Sequence, residues 1–362
     1  MKIGVLGSGQ LGRMLALSAY PLGHQMSFLA SSEEDPSSLL GNTFIQNGSQ
    51  EIIEEFAKNS DVVTYESENT AVSIVKEISQ KTMVYPSAKS LYTSQHRGRE
   101  KSLFDKLNIP CAPYQMVNNL SELKIAVEYI GLPAILKTAT DGYDGKGQFL
   151  IQSDSQLDQA WKNMYGVESI LEGFINFKRE LSLVAVRGVD NTHEYYPLVE
   201  NSHHNGILRL TIAPAQNISP KLQQQAESYM RSLLDEMNHV GVLTIELFET
   251  DNNLVVNEMA PRVHNSGHWT IEGARTSQFE NHIRAITETP LGETSCTHKY
   301  SAMINIIGKQ GPIDNVLTLN NAHLHLYNKT EREGRKLGHI TITSNTLDDL
   351  NTSLETLSDF MP

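Results

Sequence analysis

Several features that would place a chain in a class at once are scarce or missing in this sequence of 362 residues. It has only two cysteines, Cys111 and Cys296, which argues against a disulfide framework or a cysteine-rich metal site. Its net charge of −13 leaves no basic excess to neutralise the phosphates of a nucleic acid. No run approaches the ~20 apolar residues that a membrane helix needs, and the short, glycine-interrupted start at residues 2–6 does not fit a signal peptide. We therefore expect a globular protein of the cytoplasm that binds neither nucleic acid nor membranes.

The first hundred residues alternate short apolar runs with helical patterns, which is typical of a parallel sheet covered by helices. The predicted strands are 3–6, 26–29, 62–65 and 83–84, and the predicted helices are 13–20, 51–59 and 72–80. Pro110 and Pro113 then mark a joint, and short β-like runs dominate again from about Pro290. We predict three domains, at residues 1–98, 99–285 (with a small α+β subdomain at about 112–180) and 286–362.

The most informative spacing in the chain separates Glu246 from Glu258. Both lie in strand-like runs, 243–248 and 254–258, and the turn-forming residues between them are typical of a hairpin. A turn centred on Asn252 places the two glutamates directly opposite each other, with Cβ atoms roughly 5 Å apart. Two such carboxylates repel, so a hard cation such as Mg²⁺, carrying the phosphates of a nucleotide, is expected between them. The alternative is a solvated hairpin face whose register differs by one residue.

A glycine-rich turn, Gly7–Gly12, follows the first strand and opens a helix, as in dinucleotide-binding proteins. The acidic residue that would bind the ribose is misplaced, because the second strand ends at 29–32 and Glu33 comes only afterwards. This argues against a nicotinamide cofactor. The turn can still hold an anion or another polar ligand at the start of the helix.

A second glycine-rich segment, residues 142–148, contains three glycines and a lysine and follows the strand that ends at Lys137. Its backbone amides could approach phosphate oxygens, although it is not a Walker A loop. The alternative is an ordinary hairpin turn. Lys137 favours the phosphate interpretation, because a half-buried ammonium group needs an anionic partner.

Three further segments carry polar groups that could contact a ligand. Residues 172–175, with Glu180, could bind a base and a ribose, or could form a surface loop. Residues 261–269 crowd arginine, histidine and asparagine beside the suspected metal site, which fits an anion pocket or a polar loop with satisfied hydrogen bonds. A basic cluster forms either a solvated face or a monophosphate site; its members are Lys329, Arg332, Arg335 and Lys336.

Together these segments resemble the ATP-grasp ligases and, within them, the N5-carboxyaminoimidazole ribonucleotide synthetases. The superfamily is indicated by the asparagine–glutamate pair at 257–258 and by the glycine loop at 142–148. The narrower family is indicated by His-Asn-Ser-Gly-His-Trp-Thr at 264–270 and Gly-Arg-Lys-Leu-Gly-His at 334–339. The resemblance spans nearly the whole chain, with further similar segments at 7–14, 65–69, 172–175 and 200–203.

The resemblance implies an ATP-grasp fold of mixed α/β and α+β class, with an N-terminal Rossmann-like parallel-sheet domain and a small β-rich C-terminal domain. It implies Mg²⁺, or Mn²⁺ in its place, on Glu246 and Glu258, in agreement with the hairpin argument. It implies ATP contacts at Arg97, Lys137, Gly142, Tyr143, Asp144, Gly145, Lys146, Gly147, Gln148, Glu172, Gly173, Phe174, Ile175, Glu180, His203, Asn257 and Glu258. In a regular strand Asn257 would face the opposite side from Glu258, so its contact with the nucleotide requires local twist or an indirect role.

The resemblance also implies two small-molecule substrates, 5-aminoimidazole ribonucleotide and bicarbonate. The implied ribonucleotide contacts are Gln10, Leu11, Glu66 and Asn265, with the phosphate on Lys329, Arg335 and Lys336. Bicarbonate and carboxyphosphate are expected on Arg262, His264 and Asn265, while Tyr143 and Asp144 orient the substrate or accept the amine proton. The chain departs from the family at Ser67, where an apolar residue is commoner, and at Thr70, where valine is usual, which leaves open whether Glu66 or Glu68 meets the amine.

The expected activity is an ATP-dependent C–N ligation: the carboxylation of 5-aminoimidazole ribonucleotide through carboxyphosphate, giving ADP and phosphate, in purine biosynthesis and by a homodimer. One alternative is a sister ATP-grasp ligase such as the formate-dependent glycinamide ribonucleotide transformylase. Another is an NAD-dependent oxidoreductase using Gly7–Gly12. A third is a catalytically silent nucleotide-binding regulator. Such a protein would be marked by the loss of a charged site residue, and we find none missing.

Overall fold

Three β-sheets with helices between and around them make up the chain, in a computed structural model that describes residues 1–142, 147–251 and 253–361. The prediction of a mixed α/β and α+β class is confirmed. Over those three ranges, no helix combines the length and the apolar character needed to cross a lipid bilayer.

The N-terminal sheet is parallel throughout, with the strand order β3-β2-β1-β4-β5. Its strands are β1 (Lys2–Leu6), β2 (Gln25–Ala30), β3 (Asn42–Ile45), β4 (Val62–Tyr65) and β5 (Met83–Val84), and its helices are α1 (Gln10–Ala19), α2 (Gln50–Lys58) and α3 (Val72–Ile78). The alternation of apolar runs and helical patterns predicted this sheet because β1, β2 and β4 are almost fully buried. The edge strand β3 was missed, since it is only partly buried and lacks a continuous apolar run.

A small antiparallel sheet follows, with the strand order β6-β9-β7-β8. Its elements and the two helices before it are α4 (Ala88–Ser94), α5 (Arg97–Lys106), β6 (Tyr114–Val117), α6 (Leu120–Ile130), β7 (Ala134–Thr138), β8 (Gln148–Ile151), α7 (Leu157–Asn163) and β9 (Ser169–Gly173). Helices α6 and α7 pack on one face of this sheet, where Leu123, Leu136 and Leu157 are buried together. The sheet therefore presents its other face to the rest of the molecule.

The largest sheet is antiparallel and has nine strands, in the order β15-β14-β10-β12-β13-β16-β18-β17, with β11 also paired to β10. Its elements are β10 (Arg179–Arg187), β11 (His193–Tyr195), β12 (Val199–His204), β13 (Ile207–Ala213), α8 (Pro220–Glu236), β14 (Gly241–Glu249), β15 (Leu254–Ala260), α9 (Thr270–Gly273), α10 (Gln278–Ile286), β16 (Tyr300–Ile307), α11 (Ile313–Leu317), β17 (Ala322–Leu326), β18 (Lys336–Ser344) and α12 (Leu347–Thr356). The β-like runs expected in the C-terminal part are present, and they extend this sheet through the β13–β16 pairing. The predicted domain limits at 98 and 285 stay predictions.

The two faces of the large sheet carry separate cores, because alternate residues of a strand point to opposite sides. In β10, Leu181 and Leu183 pack with helix α8 on one face, whereas Val184 and Val186 pack with α10 and α1 on the other. In β14, Ile245 packs with helix α8. Glu246 therefore points to the opposite face, where the candidate site lies.

Candidate functional site

A cleft of about 750 Å³ gathers residues from both antiparallel sheets and from the segments that follow strands β1 and β4 of the N-terminal sheet. The predicted site residues on its wall are Gln10, Leu11, Glu66, Arg97, Lys137, Gly142, Gln148, Glu180, His203, Glu246, Asn257, Glu258, Arg262, His264, Asn265 and Lys336. Seven other predicted residues are described but are not among those of the wall: Gly147, Glu172, Gly173, Phe174, Ile175, Lys329 and Arg335. The predictions for Tyr143, Asp144, Gly145 and Lys146 lie outside the described residues. Segments far apart in sequence thus meet in one place.

The facing glutamates of the hairpin are paired as the sequence predicted, with Glu246 directly opposite Glu258. Each carboxylate, however, has a basic partner of its own. Nε2 of His264 lies 3.3 Å from Glu246, and Nη1 of Arg97 donates to Glu258 at 2.8 Å. The expectation that repulsion alone demands a cation is therefore corrected, because Arg97 and His264 give each carboxylate a stabilising partner within the protein.

The charge state of Glu246 follows from these neighbours. Burial would raise the pKa of Glu246, but His264 beside it, with His203 and Lys336, lowers that pKa to about 2. Because Nδ1 of His264 accepts from the backbone amide of Ser266, Nε2 carries the proton that faces Glu246. Glu246 is ionised at neutral pH and presents oxygen ligands to the cleft.

A β-bulge in β15 explains how Asn257 and Glu258 both reach the cleft. The register shifts by one residue between Glu246 and Leu247, so that Glu246 pairs with Glu258 while Leu247 pairs with Val256. Leu254, Val256 and Met259 all pack in the α8 core, which regular alternation would not allow. The extra residue is Asn257. This bulge supplies the local twist that was one of the two expected ways for Asn257 to face the cleft together with Glu258.

Lys137 on the cleft wall belongs to a buried charge network with Glu172 and Lys101. Nζ of Lys137 donates to Oε2 of Glu172 at 2.8 Å and lies 3.5 Å from Oδ1 of Asn257. Lys101, which is completely buried, lies 3.6 Å from the same Glu172 oxygen. Burial would raise the pKa of Glu172, but Lys137 and Lys101 lower it to about 2. The anionic partner predicted for Lys137 is therefore a carboxylate of the protein.

The turn Gly7–Gly12 binds a carboxylate rather than a cofactor phosphate. The side chain of Glu66 accepts hydrogen bonds from the backbone amides of Gly9 and Gly12, the latter at 2.6 Å. Burial raises the pKa of Glu66, and the amides of Gly12 and Gly9 partly offset that rise. An added Cβ at Gly7, whose φ is +108°, would approach Glu66 to 2.6 Å. The anion expected at the start of α1 is thus Glu66, which occupies the amides that a dinucleotide would need.

Glu68 and Arg262 form a two-point ion pair on the cleft wall. Both carboxylate oxygens of Glu68 accept from Arg262, Oε1 from Nη2 at 2.8 Å and Oε2 from Nε. Burial would raise the pKa of Glu68, but Arg262 lowers it to about 2. An anionic ligand of Arg262 must therefore share the guanidinium group with Glu68.

Asn265 presents an unsatisfied amide to the cleft. Its Oδ1 and Nδ2 are both buried, and neither has a hydrogen-bond partner in the described part of the chain. The residue begins a 3₁₀ turn, Asn265–Gly267, preceded by His264 as N-cap. Buried polar groups normally find partners, so this amide points to a ligand.

Another part of the cleft wall combines a histidine–carboxylate pair with aromatic rings. Nδ1 of His203 lies 2.7 Å from Glu180. Burial would lower the pKa of His203, but Glu180 and Glu246 raise it above its usual value. Phe177 and Phe248 stack with ring centroids 4.6 Å apart, and both line the cleft. Phe248 pairs with Glu180 in the sheet, so the apolar surface lies beside the polar pair.

Sequence reasoning missed several residues of the wall or its support. Phe248 follows Glu246 by two positions in β14, so strand alternation could have found it. Phe177 and Tyr327 also line the cleft, but no local pattern marks them, since only the tertiary fold brings them there. His268 lines it too, and its place in the family-specific segment 264–270 could have indicated it. Lys329 lies at the margin, where its ammonium group donates to Gln10. Burial lowers the pKa of Lys329 to about 8, with a further contribution from Arg335.

A metal site built from side chains alone is not evident. In residues 1–142, 147–251 and 253–361, no three or more histidine, cysteine, aspartate or glutamate side chains come together in a way that could hold a metal ion. The donor set of Glu246 and Glu258 nevertheless suits a hard cation that completes its shell with phosphate oxygens and water. The glutamate pair fits Mg²⁺ on that condition.

Three family descriptions match consecutive parts of the chain. The ribonucleotide synthetase preATP-grasp domain matches residues 1–95, the ATP-grasp domain matches residues 102–279, and the phosphoribosylaminoimidazole carboxylase C-terminal domain matches residues 301–353. The predicted ATP-grasp fold is therefore confirmed.

Individual relatives cover nearly the whole chain. It is 46% identical over 343 residues to the N5-carboxyaminoimidazole ribonucleotide synthase of Pseudomonas aeruginosa, with 94% of each chain covered. It matches the crystal structure of N5-carboxyaminoimidazole ribonucleotide synthetase from Thermus thermophilus with a TM-score of 0.95 and 45% identity, over 99% of this chain and 98% of the other. A synthase from Aspergillus clavatus, solved with ADP and 5-aminoimidazole ribonucleotide, matches with a TM-score of 0.91 and 33% identity, over 99% and 98%.

Proposed function

Because the chain belongs to the N5-carboxyaminoimidazole ribonucleotide synthase family of ATP-grasp ligases, we propose that it carboxylates 5-aminoimidazole ribonucleotide at the expense of ATP. The product is N5-carboxyaminoimidazole ribonucleotide, with ADP and phosphate, in purine biosynthesis. One observation carries this assignment at the level of the site. A single cleft is lined both by the bulged pair Asn257–Glu258 and by the side-chain amide of Asn265, which has no hydrogen-bond partner among the described residues.

We assign ATP to the end of the cleft that holds Arg97, Lys137 and His203. Lys137 lies close to Asn257 and is held by the buried carboxylate of Glu172, so its charge can meet a phosphate without losing its position. Glu180 is an acceptor for ribose hydroxyls, and the stacked rings of Phe177 and Phe248 give apolar surface for the base. Gly142, Gly147 and Gln148 flank the predicted phosphate loop, and residues 172–175 remain the proposed adenine hinge.

We propose that Glu246 and Glu258 hold Mg²⁺, or Mn²⁺, when ATP is bound. Both carboxylates line the cleft, and they lie directly opposite each other in the sheet. The bound cation would supply charge neutralisation at the transferring phosphoryl group. Arg97 and His264, which now pair with these carboxylates, would then be available to the anionic substrates.

The ribonucleotide is assigned to the end where Gln10, Leu11 and Asn265 line the wall. The free donor and acceptor of the Asn265 side chain suit the polar edge of an aminoimidazole ring or its ribose. The phosphate of the ribonucleotide would meet the basic cluster of Lys329, Arg335 and Lys336. Burial, and after it the charge of Arg335, lowers the pKa of Lys329, so an anion there would stabilise its charged form. Glu66 also lines the cleft, and it holds the turn that carries Gln10 by accepting from the amides of Gly9 and Gly12. Its carboxylate retains acceptor capacity for the ribonucleotide.

Bicarbonate is a poor electrophile, and ATP converts it to carboxyphosphate. We place this anion near Arg262, His264 and Asn265, all of which line the cleft. The amine of the ribonucleotide then takes the carboxyl group, directly or after release of CO₂, and phosphate leaves with the bonding electrons of the broken C–O bond. The protein contributes mostly positioning and charge neutralisation. Tyr143 and Asp144 stay predicted to orient the substrate or accept the amine proton.

The activity is tested by measuring ADP release with ATP, bicarbonate and 5-aminoimidazole ribonucleotide, omitting one component at a time. Release that requires both bicarbonate and the ribonucleotide supports the assignment, together with a product heavier by one carboxyl group in mass spectrometry. Release with formate and glycinamide ribonucleotide instead would identify the sister transformylase. Release with neither pair would contradict a ligase of this class.

Family likeness further supports a cytoplasmic homodimer, which we propose on that ground alone. Light scattering of the purified chain should give twice the monomer mass. A single monomer mass at assay concentration would contradict the dimer without touching the catalytic assignment.

A further inference from the structure

Helix α5 holds the segment around Glu258 with three side chains of one face. Arg97, Glu100 and Lys101 are spaced i, i+3 and i+4 and therefore project on the same side of the helix. Arg97 donates to the Glu258 carboxylate at 2.8 Å. Oε1 of Glu100 accepts from the backbone amide of Met259 at 2.6 Å, and Nζ of Lys101 donates to the backbone carbonyl of Asn257 at 2.8 Å.

These contacts satisfy groups that the sheet leaves unpaired. Strand β15 is the edge of the nine-stranded sheet, and its bulge removes Asn257 from the regular ladder. An edge strand must find other partners for its outward N–H and C=O groups when it is buried. Glu100 and Lys101 supply those partners on either side of Glu258.

Both side chains are too deeply buried to serve as ordinary surface charges. Glu100 is 2% exposed and Lys101 is not exposed at all. A charged group in such a place persists only where its partners are fixed. The carbonyl of Asn257 is the hydrogen-bond acceptor of Lys101, and Glu172 lies 3.6 Å from the same ammonium group.

We infer that Glu100 and Lys101 are positioning residues that fix the bulged backbone at 257–259 and thereby aim the carboxylate of Glu258 into the cleft. Neither residue is among those of the cleft wall, although Glu100 lines an adjoining pocket beside Glu258, so we expect both to act on the reaction through the backbone that they hold. The inference rests on the proposed metal role of Glu258, because aiming that carboxylate matters only if it binds something.

The test measures ADP binding by calorimetry with and without Mg²⁺ in Lys101→Met. Supporting partners of a metal ligand typically contribute about tenfold or more to metal affinity, so we expect the gain in ADP affinity on adding Mg²⁺ to shrink by about that factor. Binding of ADP without Mg²⁺ should change much less. The KM for the ribonucleotide should stay near the wild-type value.

Two further variants separate positioning from general loss of stability. Glu100→Gln keeps an oxygen acceptor for Met259 and should retain most of the Mg²⁺-dependent gain, whereas Glu100→Leu should lose it. Burial raises the pKa of Glu100 to about 8, so the neutral glutamine is a close replacement at pH 7. Arg187→Met is the matched control, since Arg187 is a buried cation that binds the carbonyl of His239 away from the cleft. It should lower Tm and leave the Mg²⁺-dependent gain unchanged.

Two results would overturn the inference. One is a folded Lys101→Met variant whose ADP affinity increases on adding Mg²⁺ as much as that of the wild-type chain. The other is a variant that binds ADP more weakly without Mg²⁺ but shows the same increase when Mg²⁺ is added, because that result would mean that Lys101 acts through Glu172 instead. Failure of the proposed activity is distinguishable, because it would show as missing turnover in the wild-type chain while the binding differences between variants remained.

Discussion

At the scale of single residues, partly buried pairs of a carboxylate and a basic group line the cleft, and a ligand must enter or replace them. Glu246 lies beside His264, Glu258 beside Arg97, and Glu68 beside Arg262. Each pair joins a carboxylate to a basic group that the proposed substrates also need. Binding of a cation to the glutamates would therefore free positive charge for the anions that arrive with it.

The first residue-scale prediction concerns Glu258→Gln. Loss of one carboxylate charge from the metal site should cost several kcal/mol of transition-state stabilisation, so we expect ADP release to fall about 100-fold or more. Circular dichroism should show an intact fold. Glu249→Gln is a matched control on the neighbouring strand, since Glu249 is paired with Arg179 as Glu258 is with Arg97. Wild-type turnover in Glu258→Gln would refute the metal assignment.

A second residue-scale prediction concerns Asn265→Ala. The amide has no partner in the described residues, so its removal should leave the free energy of unfolding nearly unchanged. Loss of its hydrogen bonds to the ribonucleotide should cost about 1–2 kcal/mol, seen as a roughly tenfold lower kcat/KM for that substrate. Asn281→Ala should behave in the opposite way, because Asn281 binds Tyr196 and Gly292 inside the core. A destabilised Asn265→Ala with unchanged kinetics would show that this amide is structural.

At the scale of elements, the start of helix α1 depends on Glu66 and on the space that glycine leaves for it. Gly7 has a φ of +108°, and a Cβ there would meet Glu66 at 2.6 Å, whereas Gly23 has a φ of +77° and no neighbour within 4 Å. At either position an alanine would be strained by about 1–3 kcal/mol, because its backbone would have to adopt a positive φ. Only at Gly7 would the added Cβ also collide with a neighbouring side chain, that of Glu66.

We therefore predict that Gly7→Ala destabilises the protein more than Gly23→Ala does. The difference should be visible in urea unfolding curves, and only Gly7→Ala should also weaken ribonucleotide binding, because Gln10 follows the same turn. Equal losses in the two variants would mean that Glu66 moves aside without cost and does not hold the start of α1.

The hairpin β14–β15 shows how one element serves both the core and the cleft. A loop that pairs Glu249 with Leu254 would, in a regular ladder, place Glu246 opposite Asn257. The bulge restores the pairing of Glu246 with Glu258 and keeps Met259 in the α8 core. The pairing predicted from the spacing is thus confirmed, although the regular hairpin assumed in that prediction was incomplete.

At the scale of the whole molecule, two buried histidines connect the N-terminal sheet to the large sheet. His282 in α10 accepts from the amide of Val242 through Nδ1, and its Nε2 lies 2.8 Å from the hydroxyl of Thr64. His239 contacts Ser90 and the carbonyl of Val242. Burial lowers the pKa of His239 to about 4 and that of His282 to about 3.

These histidines predict a loss of stability in mild acid. Their pKa values are lower in the folded chain than the unfolded value of about 6.5, so the unfolded state binds more protons below that pH. Stability is complete above pH 6.5 and should fall by several kcal/mol as the pH drops toward 4. Urea unfolding between pH 7.5 and 4.5 measures this. His282→Gln should flatten the curve and the exposed His323→Gln should not, whereas a wild-type curve flat over this range would contradict the prediction.

The sequence by itself determined the features that depend on neighbours along the chain. Strands 62–65 and 83–84 match β4 and β5 to the residue, because short apolar runs between turn signals have few alternatives. The segments at 257–258 and 142–148 indicated the fold, and those at 264–270 and 334–339 indicated the chemistry. Most of the described residues that the resemblance implied line the cleft. The partly buried β3 lacked such a pattern and was missed.

Only the tertiary structure decided which groups bind one another. Glu66 could be recognised as a site residue, but its commitment to the amides of α1 depends on a contact across 57 positions of sequence. Likewise, the backbone beside the bulge at Asn257 finds its hydrogen-bond partners on α5, more than 150 positions earlier in the sequence. Hydrogen bonds and ion pairs between distant segments cannot be read from periodicity, since periodicity reports the facing of a side chain and not the group that it meets.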